Sequence, residues 1–166
     1  FSGNVVNFAC NMNLWCHWNI PNKIKEIDVS GWIFSWDSLY DLFYAWYSLE
    51  SIKWLDTWDV SNIKNMWNMF YGTYNLRDVD FSGRNTENVT NMYWMFYNAS
   101  GFSELDLSSF DTNKVENMNQ MFQWASNLET VYVSDGFTTT SLLSWDNMFS
   151  GTTSIVWGNW TVYNPS

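Results

Sequence analysis

Asn65-Met66-Trp67-Asn68-Met69-Phe70, Asn91-Met92-Tyr93-Trp94-Met95-Phe96 and Asn117-Met118-Asn119-Gln120-Met121-Phe122 are one string written three times. Met148-Phe149 repeats its end, so the anchoring phenylalanines fall 26, 26 and 27 residues apart. A step back of 27 reaches Leu42-Phe43, and a second reaches Trp15-Cys16. Four residues before each anchor stand Met12, Leu39, Met66, Met92, Met118 and Trp145, and ahead of those Asn11, Ser38, Asn65, Asn91, Asn117 and Ser144. Six matches in one phase establish an internal repeat, and a period in the twenties is the signature of repeat architectures.

Within a unit, Ile63, Met66, Met69 and Phe70 recur at the spacing of one face of a short helix, as do Val89, Met92, Met95, Phe96 and Val115, Met118, Met121, Phe122. A turn such as Tyr71-Gly72-Thr73 follows. Next comes an alternating run, as in Ile27-Asp28-Val29, Val79-Asp80-Phe81, Leu105-Asp106-Leu107 and Val131-Tyr132-Val133, which predicts a strand with one buried face. The expectation is an α/β repeat solenoid of about six coils of 26–27 residues, a parallel sheet on one side and short helices on the other.

These strings resemble a known family. Leu105-Asp106-Leu107-Ser108-Ser109-Phe110-Asp111-Thr112 and Asn91-Met92-x-x-Met95-Phe96 are similar to BspA-type leucine-rich repeats of bacterial surface proteins, found also in mycoplasma and lactobacillus surface families. The likeness runs from about Asn11 to Thr161. It implies a leucine-rich-repeat-like fold, an extracellular or cell-surface location and a role in adhesion or protein binding, with no reaction of its own. The domain expectation is a single solenoid over 1–166. It comprises a truncated first coil (1–26), full coils at 27–51, 52–77, 78–104 and 105–130, and a last coil with C-terminal cap (131–166). Val156-Trp157-Gly158-Asn159-Trp160-Thr161 resembles the family's closing Val-Gly-Gly-Asn-Gly-Thr, with Trp at two Gly positions. Two residues past the anchor the family prefers Gly, as in Gly72 and Gly151, but Trp18 and Trp124 also occupy that slot. A bulky residue in a left-handed cap costs roughly 1–2 kcal/mol, so either those turns have changed shape or the Trp assignments at these Gly-like positions are not genuine.

Composition bounds the function. The chain has 166 residues, 13 Trp, 9 Tyr and 12 Phe, and a net charge of −10. Its four alanines (Ala9, Ala45, Ala99, Ala125) argue against an ordinary helix bundle, and its apolar mass against disorder. The negative surface repels phosphate backbones, which argues against nucleic acid. No apolar window is long enough for membrane insertion as a spanning helix.

Chemistry-bearing residues are sparse. His17 is the one histidine, beside Cys16, with Cys10 six residues before that cysteine, which is too few ligands for a metal centre. Cys16 stands at a core position and Cys10 at a polar one, which disfavours a disulfide. Asp56, Asp59, Asp80, Asp106 and Asp111 recur with the repeat, whereas an active site needs a unique constellation, so no catalytic residue and no cofactor is assigned. Asp59, Asn85 and Asp111 share a phase that suits either a calcium bridge or, preferably, Asx-turns. The repeated Asn of Asn-Met is expected to hydrogen-bond between coils or to turn backbone. Asn88, Asn98 and Asn159 head glycosylation sequons.

Function is expected in the aromatic excess. Counted from the anchor, positions −3, +1 and +4 form a second stripe: Tyr40/Tyr44/Tyr47, Trp67/Tyr71/Tyr74 and Tyr93/Tyr97/Ser100. It turns polar in the next two units, at Asn119/Gln123/Ser126 and Asp146/Ser150/Thr153. Stacking between coils is one reading of the stripe, and a partner-binding patch is the other, with Trp94 as its most exposed member. The resulting expectation is a non-enzymatic surface module presenting this patch to a protein or glycan. The alternative is a structural subunit of an extracellular layer or filament, with like subunits as partners.

Overall fold

The computed structural model describes residues 5–7, 24–30, 37–53 and 55–155. Cys10, Cys16, His17, Trp18, Asn159 and the expected C-terminal cap lie outside the described residues. Five three-residue strands occur: β1 (Val5–Asn7), β2 (Glu26–Asp28), β3 (Ser51–Lys53), β4 (Glu104–Asp106) and β5 (Thr130–Tyr132). The first three form one parallel sheet with Val6, Ile27 and Ile52 in register, and β4 and β5 form a second with Leu105 opposite Val131. Ile27, Leu105 and Val131 point into the core, while the residues flanking them are more exposed. That is the alternation expected of a half-buried strand.

The chain does not build the α/β solenoid that its periodicity predicts. No described residue is in an α-helix, and the one helical element among them is a 3-10 turn at Leu55–Thr57. The strands belong to two separate sheets, and most of the chain is turn or irregular. Val79-Asp80-Phe81, expected as a strand, is not one, and the sheet stops there. Charge accounts for one side of the gap, the missing pairing with β4: at the 26-residue repeat Asp78 and Asp80 would stand opposite Glu104 and Asp106. Like charges directly opposite on neighbouring strands destabilise the pairing.

Backbone dihedrals explain the missing helices. The residue two before each anchor has positive φ in every described unit: Asp41 (58°), Asn68 (58°), Trp94 (57°), Gln120 (55°) and Asn147 (55°). So does the residue two after it: Ala45 (61°), Gly72 (69°), Asn98 (57°), Trp124 (62°) and Gly151 (76°). An α-helix cannot contain left-handed residues four apart, because it needs an unbroken run of right-handed ones. The chain instead makes successive turns closed by three-residue hydrogen bonds, such as Met69 N to Met66 O (3.2 Å), Tyr71 N to Asn68 O (3.0 Å) and Thr73 N to Phe70 O (3.3 Å). Trp124 therefore keeps the left-handed turn and carries its strain.

The N–H groups between these turn donors reach the next unit. Met66 N donates to Asn91 O (2.9 Å), Asn68 N to Tyr93 O (3.0 Å), Phe70 N to Met95 O (2.8 Å) and Gly72 N to Tyr97 O (2.8 Å). The same four-bond set joins 39–45 to 65–71, 92–98 to 117–123, and 118–124 to 144–150. Backbone donors are thus satisfied by stacking rather than by helix formation. Parallel bridges Ser38–Asn65, Asn65–Asn91, Asn91–Asn117 and Asn117–Ser144 run through the same edge. Each repeated Asn also turns its side chain on its own loop: Asn65, Asn91 and Asn117 Oδ1 accept from the backbone N–H two residues on, and Ser38 Oγ does the same.

The core follows the repeat. Phe43, Phe70, Phe96, Phe122 and Phe149 form one stack, with centroids 5.4, 5.3, 5.7 and 5.1 Å apart and planes within 22° of parallel. Leu39, Met66, Met92 and Met118 line it, and Phe81, Phe102 and Phe110 are buried with them. Three buried threonines are tied down by hydrogen bonds, whereas Asn68 Oδ1 and Gln123 Oε1 are buried without a partner among the described residues. Thr86 and Thr112 exchange hydrogen bonds with the backbone of Asp111 and Thr138, and Thr73 Oγ1 donates to Phe70 O.

Candidate functional site

The stacking of units brings the whole expected stripe onto one face. Position −3 aligns Tyr40, Trp67 and Tyr93, with centroids 5.0 and 5.6 Å apart and tilted planes. Position +1 aligns Tyr44, Tyr71 and Tyr97 at 4.7 and 4.8 Å, and here the rings are stacked. Position +4 pairs Tyr47 with Tyr74 at 5.2 Å, 10° from parallel. Trp94 joins the first two columns, stacked on Tyr93 at 4.5 Å and tilted against Tyr97 (5.4 Å) and Tyr71 (5.9 Å). Seven of the nine rings are one contact network. Tyr47 and Tyr74 form a separate pair, tethered to it where Asn98 Nδ2 donates to Tyr74 Oη (3.1 Å).

Stacking between units, one of the two readings of the stripe, is what the rings do. Tyr40, Tyr44, Tyr47 and Tyr74 are also exposed. Trp94, expected to be the most exposed member, is half-buried, and its indole N–H donates to Gln120 Oε1. Its left-handed backbone is incompatible with the helical outer position that the periodicity assigned to it. The sequence reading missed Gln120, which also accepts from Tyr93 Oη (3.4 Å), and Asp41, whose carboxylate accepts from Asn68 Nδ2 (2.9 Å). Both occupy position −2, which the apolar pattern ignores. It also missed Trp124, Trp145 and Leu143, which are 52%, 62% and 82% exposed in the last two described units.

Burial raises the phenol pKa of Tyr44, Tyr71 and Tyr93, with neighbouring Tyr or Asp41 adding to it. It does the same for Tyr40, where Asp41 adds a hydrogen bond and its charge. The sign follows from linkage: the folded state prefers the neutral phenol, so this stability is fully present below the usual value near 10 and is lost as pH rises through the raised values. Ultraviolet titration is expected to show these phenols ionising later than a free tyrosine, with near-ultraviolet circular dichroism collapsing in the same alkaline window. Coincidence of all phenols with the free amino acid would contradict the packing described.

Periodic carboxylates serve turns. Asp59, Asn85 and Asp111 each accept from the backbone N–H two residues on (3.0, 2.9 and 2.9 Å), as Asp28, Asp80 and Asp106 do. These bonds to Ser30, Ser61 and Ser82 hold Asp28, Asp59 and Asp80 below the usual carboxylate range. A cleft of about 250 Å³ lies where the sheet is interrupted, between Asp78, Asp80 and Ser82 on one side and Asp106, Ser108 and Ser109 on the other. Of the sequon asparagines, Asn88 donates to Ser61 O (2.9 Å) and accepts from Lys114 (2.8 Å), while Asn98 lies at the edge of the aromatic face.

Among the described residues no helix is long and apolar enough to cross a membrane, and no group of three or more His, Cys, Asp and Glu could hold a metal ion. Compared with known families, residues 37–160 match the model described as "Mycoplasma protein of unknown function, DUF285". No curated protein and no solved structure gives a significant match.

Proposed function

The chain belongs to the Mycoplasma family of unknown function DUF285, and we propose that it is a non-enzymatic binding module of the cell surface or extracellular space. Its aromatic face engages a protein partner. The observation that carries this reading is the assembly of nine Tyr and Trp side chains on one face, where backbone ladders already fix their positions. Fixed rings lose little entropy on binding, and Tyr and Trp are the side chains enriched at interface hot spots. The resemblance to BspA-type repeats supports the surface location.

A protein is favoured over a glycan because of how the rings spend their faces. In the +1 and +4 columns neighbouring rings cover one another's faces, so among the described residues only an end ring such as Tyr74 keeps a face with no ring against it, and no continuous run of open faces is left. Sugar stacking needs open faces, whereas edges and hydroxyls suit packing and hydrogen bonding against a protein. The test is binding of labelled protein to cells. Substituting Tyr44, Tyr47 and Tyr74 together by serine is expected to weaken binding by at least about tenfold, since each hot-spot loss is worth about 1.4 kcal/mol or more. Protease treatment of the cells should abolish binding. Unchanged binding by the triple variant would sink the assignment of this face, and loss on glycosidase rather than protease treatment would replace the protein partner with a glycan.

A further inference from the structure

The Tyr47–Tyr74 pair has a chemistry independent of binding. Both rings are exposed, their centroids are 5.2 Å apart and their planes differ by 10°. The next unit carries Ser100 at this position, so no third ring follows Tyr74. Tyr71, by contrast, is held between Tyr44 and Tyr97 and is only half-exposed. Coupling two phenols through ring carbons requires both to be reachable by an oxidant, to be neighbours, and to be free to turn about the new bond. Of the stacked tyrosine pairs among the described residues, only Tyr47 and Tyr74 are both exposed and in ring contact, and the Asn98 amide on the Tyr74 hydroxyl is the one contact that must let go as the rings turn.

We propose that Tyr47 and Tyr74 are a site of oxidative cross-linking, joined as dityrosine when the protein meets a haem peroxidase and hydrogen peroxide. Each phenol gives up one electron and one proton to the peroxidase. The two phenoxyl radicals then form a carbon–carbon bond between ring positions ortho to the oxygens, and the ortho hydrogens shift to oxygen to restore both phenols. Two electrons and two protons leave the protein, and one peroxide takes them up to give two waters. The product is a covalent strap between consecutive units, closing a loop across 27 residues of sequence. Such a strap restricts the unfolded chain much as a disulfide does. It would supply a cross-link that needs no cysteine.

Tyr132 is the internal control. It is more exposed than either member of the pair, yet its hydroxyl donates to Glu104 and it has no ring partner among the described residues. The experiment oxidises dilute full-length protein with peroxidase and peroxide, then records intact mass, dityrosine fluorescence and the cross-linked peptides by tandem mass spectrometry. The expected product is a monomer lighter by two hydrogens, with the bond between residues 47 and 74. Tyr47→Phe and Tyr74→Phe should each reduce that product to background while preserving the circular dichroism of the fold, because phenylalanine keeps the stack. Coupling that is mainly between chains, through Tyr132, or unaffected by both variants would overturn the proposal.

Discussion

Replacing Phe96 by alanine is expected to lower the unfolding free energy by about 3–5 kcal/mol. Phe96 is fully buried and sits third of five in the phenylalanine stack, 5.3 Å from Phe70 and 5.7 Å from Phe122, nearly parallel to both. Phe81 and Phe102 meet it edge-on at 6.2 and 5.9 Å. Truncation therefore removes two stacked and two edge contacts at once and leaves a cavity whose walls are themselves anchored by inter-unit hydrogen bonds. Walls so fixed relax little, which puts the cost toward the top of the range. Against a typical total of about 5–15 kcal/mol this is a large fraction. The position also predicts how the protein comes apart. In a repeat array each unit touches only its neighbours, so a break in the middle uncouples the two halves. Urea unfolding of Phe96→Ala should show a lower midpoint and a broadened transition, whereas Phe96→Leu should keep a single transition with a smaller loss. A loss within about 1 kcal/mol for the alanine variant, well below the usual range for such truncations, would mean that the stack does not organise the core.

The sequence placed side chains better than it placed backbone. Ile63, Met66, Met69 and Phe70 were expected inside, and all four are buried, as are their counterparts in the next two units. Apolar spacing reports which residues face the core, but a short helix and a pair of successive turns bring the same positions inward. The letters that separate the two lie at −2 and +2. Asp41, Asn68, Asn98, Asn147, Gly72 and Gly151 are types that tolerate the left-handed region. Ala45, Trp94, Gln120 and Trp124 are not, and they hid the pattern. The same blindness misplaced Trp94 and passed over Gln120, its hydrogen-bond acceptor. The β4 side of the break between the sheets was written in Asp78 and Asp80, but only a known partner register turns those charges into a reason. The aromatic stripe was fully readable as a set of residues. Its ring separations, and so which faces remain open to a partner, depend on unit stacking and were not.

The ladder also links fold to function energetically. Strain at ten left-handed positions, six of them Asp, Asn or Gly, is offset by four inter-unit hydrogen bonds per junction. Those bonds are what bring successive tyrosines to within about 5 Å of each other. Any change that opens a junction should therefore disperse the aromatic face before it unfolds the protein.

Gly101→Ala is the sharpest way to open one, with an expected loss of about 3 kcal/mol, at the upper end for overpacking. A β-carbon at Gly101 would lie 2.3 Å from Leu76 O, 2.8 Å from Leu76 N and 2.9 Å from Leu76 C. These are backbone atoms one unit away, so no side chain can swing aside, and the junction between the units anchored by Phe70 and Phe96 must widen. Two other glycines calibrate the effect. Gly83 has φ +68° and nothing within 4 Å of the added carbon, so Gly83→Ala should cost only the left-handed penalty of roughly 1–2 kcal/mol. Gly151 has φ +76° and its added carbon would meet the Trp124 ring at 2.4 Å, but that ring is half in solvent and can move. Gly151→Ala should therefore fall between the two, and combining it with Trp124→Ala should recover the steric part, leaving a non-additive pair. The order Gly101, Gly151, Gly83 in urea midpoints is the expected result. If Gly101→Ala proves no worse than Gly83→Ala, the close approach of the two units at Leu76 is wrong, and the register of the aromatic face built on that junction must be redrawn.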